Sequence, residues 1–263
     1  MYAFEYRKPE SLAAAASALA QSGGKALAGG QSLVAAMKLR LAQPGTLVDL
    51  GAIPELKGIR KDGNGLTIGA MTRHAEVASS DIVKQSLPAL AALAEGIGDR
   101  QVRNMGTLGG SIAHNDPAAD WPSALLALGA TVNTNKRKIN ADDFFKGLFE
   151  TALAPDEIIT SVTFPLASKA AYVKFPNPAS RFALVGVFVA QGPQGVRVAV
   201  SGAGPCAFRS KPLEDALGRQ WSADAAKQVK IDSTGLNNDL HGSPEYRAHL
   251  IPVLASRAVA AAG

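Results

Sequence analysis

The chain has a single cysteine, Cys206, among 263 residues. One thiol cannot close an internal disulfide, complete a CxxC zinc site or ligate an iron–sulfur cluster alone. It points to a reducing compartment, and Cys206 itself reads as a small buried apolar residue. Aromatic residues are scarce, at 6%. None are interleaved with basic residues as in proteins that stack nucleic-acid bases, so no nucleic-acid partner is expected. The Ala-rich tracts at 12–20 and 250–262 are too short or too interrupted to span a bilayer. The opening Met1-Tyr2-Ala3-Phe4-Glu5-Tyr6 lacks the basic and apolar regions of a secretory signal. A cytoplasmic protein is expected. No HExxH pattern, GxSxG elbow or Walker loop occurs. His74, His241 and His249 stand far apart with no second ligand at metal spacing, so no metal site is expected.

What is present suits an ordinary globular protein. Hydrophobic residues make up 47% and charged residues 19%, and the length allows one large domain or two to three smaller ones. The formal charge is +5. Its only compact basic run, Lys136-Arg137-Lys138, reads as a solvated turn between a strand and a helix. A basic surface can also attract an acidic partner or an anionic acceptor.

Patterning predicts a small β-α-β unit at the start. A helix over 11–19 stops at Gly23-Gly24. A strand at 25–28, a Gly-Gly turn, a helix at 33–41 and a buried strand at 46–50 follow. The tetrapeptide Asp62-Gly63-Asn64-Gly65 signals a hairpin. Helices are expected near 73–79 and 87–95. The stretch 98–116 shows neither helical nor strand period and reads as a long irregular segment, which is uncommon unless functional. A helix through Leu128, a strand at 131–134, a short helix at 142–145 and an alternating strand at 157–164 come next. Beyond Pro165 the chain turns to Val/Phe-rich strands at 171–175, 182–190, 196–201 and 207–209. Helices follow near 211–217 and 223–229, and a last one starts with Ser243 as cap and Pro244 in the first turn. Strands followed by helices suggest a separate α+β domain. The expected division is 1–168, with parts at about 1–54 and 55–168, then 169–263.

Two segments carry chemistry. In Ala28-Gly29-Gly30-Gln31-Ser32, between a strand and a helix, glycines let backbone approach a ligand closely. The helix that follows offers N–H groups that suit a pyrophosphate, although such a turn is often only a turn. The second segment, residues 106–122, surrounds Gly109-Gly110 with Thr107, Ser111, His114, Asp116 and Asp120. Hydroxyls there can bond phosphate or ribityl oxygens, and Asp120 can accept from hydroxyls.

Together, AGGQSL at 28–33 and TLGGSIAHNDPAADWP at 107–122 resemble the FAD-binding subunits of molybdenum hydroxylases. That family includes the medium subunit of aerobic carbon monoxide dehydrogenase and the flavin domain of xanthine dehydrogenase. The segments 155–159, 174–181 and 241–247 are similar to further parts of it. The resemblance implies an α+β fold with a two-part FAD-binding domain of the PCMH type and a smaller C-terminal domain. It implies one non-covalent FAD and an electron-transfer role. Partners would be a large molybdopterin-binding subunit and a small subunit with 2Fe–2S clusters, with an external electron acceptor. Carried over, Lys25, Ala28, Gly29, Gly30, Gln31, Ser32 and Leu33 would hold the diphosphate side. Thr107, Gly109, Gly110, Ser111, Ala113, His114, Asp116 and Asp120 would form the other wall. Ile159 would pack on a ring and Lys174 would sit near the flavin. No residue of this chain is expected to act as catalytic acid or base. Ser111 departs from the asparagine common there, and Trp121 from smaller apolar residues.

Each residue has a plainer alternative. His114 suits a structural hydrogen bond, Asp120 a helix cap and Asp116 an Asx-turn. Lys25 and Lys174 suit ordinary surface positions, and Arg100 and Arg103 either steady the glycine segment, face a partner or lie exposed. Two rival functions stand beside electron transfer: a self-sufficient flavin oxidase or dehydrogenase, and a non-catalytic assembly module with a decayed flavin site.

Overall fold

The computed structural model describes residues 1–63 and 65–263. The architecture is α+β. It opens with a three-stranded parallel sheet in the order Glu5–Arg7, Thr46–Asp49, Lys25–Leu27. Helix Leu12–Ser22 begins where Ser11 Oγ accepts from Ala14 N–H at 3.2 Å. It ends at Gly23, left-handed at φ 58°, whose N–H returns to Leu19 O, the cap that only glycine adopts without strain. Leu33–Lys38 forms the second helix. The first strand was not expected from sequence. It is three residues long, and its partner lies some forty positions away in the chain.

A five-stranded antiparallel sheet follows, in the order Ile59–Asp62, Gly65–Gly69, Ile159–Pro165, Thr131–Thr134, Lys138–Asn140. The first two strands form the expected hairpin, of which Asn64 lies outside the described residues. Helices His74–Ser79, Pro88–Glu95, Leu108–His114 and Trp121–Leu128 pack on this sheet around the wholly buried Trp121, Phe144 and Phe164. The third sheet is antiparallel, in the order Lys169–Pro176, Ala183–Gly192, Gly195–Ser201, Phe208–Arg209. Its outer face packs on Lys211–Arg219, Ala223–Lys227 and Pro244–Ala262 around Val187, Val198, Ile251 and Leu254. Ser243 caps the last helix through Tyr246 N–H.

Two expectations need correction. The segment 98–116 is not irregular: it holds two short helices, Arg100–Met105 and Leu108–His114. Tertiary contact overrides the low propensity of Gly109-Gly110. The basic run 136–138 is not a turn between a strand and a helix but joins two strands, Thr131–Thr134 and Lys138–Asn140. Arg137 donates to both oxygens of the buried Glu157 at 3.0 and 3.1 Å and to Ala152 O. Burial opposes charge on Glu157, yet these bonds, with those from Ala154 N–H and Thr134, hold its carboxyl down at about 2. Among the described residues no helix is long and apolar enough to cross a membrane.

Candidate cofactor cleft

A cleft of about 830 Å³ lies where the first two sheets and the loop 180–182 meet, within the range of cofactor sites. Its lining includes Lys25, Ala28, Gly29, Gly30, Gln31, Ser32, Leu33, Thr107, Gly109, Gly110, Ser111, Ala113, His114, Asp116, Asp120 and Ile159. Residues far apart in sequence thus share one cavity. Lys174 is the exception among the expected residues. It does not line the cleft but reaches Asp120 Oδ2 at 3.0 Å and Gly96 O at 2.9 Å from behind.

The two glycine segments are built differently. Between Lys25–Leu27 and Leu33–Lys38, Gly30 turns the chain at φ 71°. Among the described residues the backbone N–H groups of Gly30, Gln31, Ser32 and Leu33 find no acceptor. Four neighbouring donors beside a cavity suit an anion. In the second segment the corresponding groups are paired. Leu108 N–H donates to Thr72 O, Gly109 N–H to Ala70 O, and Gly110 N–H to Thr107 Oγ1 at 3.1 Å. Its glycines serve packing: a Cβ on Gly109 would lie 2.6 Å from Ala70 Cβ. Gly29 does the same for the first segment, since a Cβ there would lie 2.0 Å from Met105 O. Gly110 sits between the two, where a Cβ would meet Thr107 Oγ1 at 2.9 Å and Ala28 Cβ at 3.3 Å.

Helix Leu108–His114 buries Leu108, Gly109 and Ile112 and turns Ser111, Ala113 and His114 toward the cleft. The His114 ring lies 5.0 Å from that of Phe149. Phe149, itself left-handed at φ 55°, also lines the cavity. Asn115 fixes that hairpin by donating from Nδ2 to Gly147 O and Glu150 O, both at 2.8 Å. Asp116 forms the Asx-turn through Ala118 N–H at 2.9 Å and faces the cleft as well.

Asp120 is not a helix cap: its side chain accepts from Tyr172 OH and Lys174 instead. Burial pushes its carboxyl above the usual range, with the Lys174 ammonium pulling the other way. Arg103 steadies the segment before the glycines by donating to Ile97 O at 3.0 Å. Trp121 is wholly buried and donates to His74 Nδ1 at 3.1 Å. His74, Ile97, Phe149 and Ile158 line the cleft but were not singled out from sequence. A lone histidine, two isoleucines and a hairpin phenylalanine give no local signal of a site.

Residues 2–167 match the model of the FAD binding domain in molybdopterin dehydrogenase. The chain belongs to this family. It is an FAD-binding oxidoreductase subunit of the molybdenum hydroxylase class. The chain is similar to the nicotine 6-hydroxylase medium subunit of Paenarthrobacter nicotinovorans, at 38% identity over 99% of this chain and 98% of that one. It is also similar to the carbon monoxide dehydrogenase medium chain of Hydrogenophaga pseudoflava, at 36% identity over 98% and 96%. The reconstituted CO dehydrogenase from Oligotropha carboxidovorans superposes with a TM-score of 0.92 at 30% identity, covering 99% of this chain and 98% of that one. The cleft fits the family's cofactor: a cavity of suitable size, unpaired N–H groups on one side, hydroxyl and carboxylate groups on the other.

Proposed function

We propose that this chain is the flavin-carrying medium subunit of a three-subunit molybdenum hydroxylase in the cytoplasm, and that FAD lies in the cleft with its diphosphate against residues 28–33. The observation that carries the assignment is the row of unpaired N–H groups from Gly30 to Leu33 facing the second glycine segment across one cavity. In this proposal a large partner holds the molybdopterin cofactor and hydroxylates the organic substrate, and a small partner holds two 2Fe–2S clusters. The medium-subunit names of the relatives support such partners. FAD, when bound, supplies the redox chemistry between those clusters and an external acceptor such as NAD, a quinone, a cytochrome or dioxygen.

The protein's own residues bind and orient. The N–H groups of residues 30–33 hold the diphosphate, with the Lys25 ammonium close by. Ser111, His114, Asp116 and Asp120 meet hydroxyls and ring edges, and Ala28, Ala113, Ile158 and Ile159 exclude water. Lys174 acts through Asp120 rather than from the cavity wall, and Tyr172 shares that carboxylate. The division into 1–54, 55–168 and 169–263 belongs to the same proposal, with the cleft closed by loop 180–182.

The test is FAD content. Purified full-length chain incubated with FAD should retain it through gel filtration. Gly110→Val, whose side chain would crowd Thr107 and Ala28, should emerge colourless while still folded by circular dichroism. Full FAD content in that variant, or none in the unaltered chain, overturns the assignment.

A further inference from the structure

We propose that His74 donates a hydrogen bond from Nε2 to an acceptor atom of the bound FAD, and that Trp121 sets the tautomer that makes this donor. The inference rests on the reading that FAD occupies the cleft.

The argument starts from Trp121, which is wholly buried beside Phe164 and does not line the cavity. Its indole N–H can only donate, and it points at His74 Nδ1, 3.1 Å away. Nδ1 must therefore carry a lone pair. Burial, with the Arg103 charge nearby, holds the imidazole down at about 4, so the ring is neutral near pH 7 and its one proton resides on Nε2. That N–H has no acceptor among the described residues. Nor is it among the fully enclosed side-chain atoms that lack a partner, which are Asn115 Oδ1, Ser201 Oγ and Trp221 Nε1. His74 is only 4% exposed, and it lines the cleft.

A second observation is independent of the protonation argument. A Cβ on Gly106 would stand 2.8 Å from Nε2 and 2.9 Å from Cδ2 of the same ring. Gly106, which lines the cleft beside His74, has a φ of −61° that would suit any residue; a side chain there would cover this nitrogen. A buried donor left without a protein partner is unfavourable. Placed beside a cavity, it is satisfied by what the cavity holds.

Two substitutions separate a ligand-binding role from a structural one. In His74→Asn the side-chain oxygen falls near the Nδ1 position and still accepts from Trp121, but nothing replaces the Nε2 donor. In His74→Gln the amide nitrogen falls near Nε2 and restores it. Binding is measured on the full chain by quenching of FAD fluorescence, with circular dichroism to verify folding. The expected result is FAD affinity weaker by about three- to tenfold in His74→Asn, the range of one neutral hydrogen bond, and within about twofold of wild type in His74→Gln. A purely structural histidine gives the opposite order, because only the asparagine keeps the Trp121 bond. Wild-type affinity in His74→Asn, or equal losses in both, overturns the inference. Should either variant fail to fold, NMR of the imidazole nitrogens in the wild-type chain decides: FAD addition should shift the Nε2–H signal of His74, and an unmoved signal refutes the contact. A wild-type chain that takes up no FAD brings down the parent reading instead.

Discussion

The two glycine pairs look alike on paper and do opposite work. In the first, Gly30 supplies a left-handed turn that leaves a row of N–H groups unpaired. In the second, Thr107, Thr72 and Ala70 have already taken the N–H groups, and the glycines permit helix Leu108–His114 to lie against the strand-end residue Ala70. The first pair presents backbone to the cavity. The second presents the side chains of a packed helix. A Gly-Gly dipeptide therefore identifies where backbone must come close, but not to what: at Gly29 and Gly109 the close neighbour is the protein itself.

The sharpest way to break this contrast is Gly29→Val. Its Cβ would overlap Met105 O, so the cost should appear in the fold of the FAD-free chain. We expect a loss of about 3 kcal/mol or more in urea denaturation, typical of severe overpacking. A change below about 0.5 kcal/mol, the level of a neutral surface substitution, would show that Gly29 does not join the segments. A loss of similar size comes from pH. His74, whose backbone N–H donates to Gly106 O beside the second pair, has its imidazole lowered from the usual 6.5 to about 4 in the fold. Between those values the unfolded chain binds a proton that the folded chain refuses. Its contribution is thus complete above pH 6.5 and lost as pH falls toward 4, about 3 kcal/mol in all. Denaturation at a series of pH values should show this slope, and His74→Gln should flatten it. An identical slope in the variant would assign it to other groups.

The smallest effects, about 1 kcal/mol each, sharpen the contrast most. Thr107→Val removes the cap on Gly110 N–H and should lower stability more than FAD affinity. Gly30→Ala forces a side chain into the left-handed region and turns the open N–H row, so it should lower FAD affinity more than stability. Paired measurements of denaturation midpoint and FAD dissociation constant decide. If both variants shift both quantities alike, the two glycine pairs are not specialised.

What the sequence made legible was local. Ser243 as a cap, the helix start at Ser11, Gly23 as a stop and the turn beside Asp62 and Gly65 follow from rules that need only a few neighbouring residues, and the elements they bound are present. The irregular reading of 98–116 failed because the helix at 108–114 is stabilised by Ala70 and Thr72, nearly forty positions away. The strand at Glu5–Arg7 was invisible for the same reason. Around the cleft, the residues that motif chemistry could name were polar groups near glycines. His74 and Phe149 escaped because nothing beside them in the chain marks them. Lys174 was named but faces Asp120 rather than the cavity, an orientation that depends on how the third sheet docks. Arg137 is exposed, as expected, but its ion pair with Glu157, twenty positions along the chain, had no local signal.

Asp120 belongs to two structures at once. It forms part of the cavity wall, and it is the point at which Tyr172 and Lys174, on the opening strand of the third sheet, hold the start of helix Trp121–Leu128. A disturbance of that sheet, from a neighbouring subunit or from a substitution on its far side, is therefore felt at the wall without passing through any flexible loop. Conversely, whatever braces this carboxylate from inside the cavity also tightens the link between that helix and the third sheet.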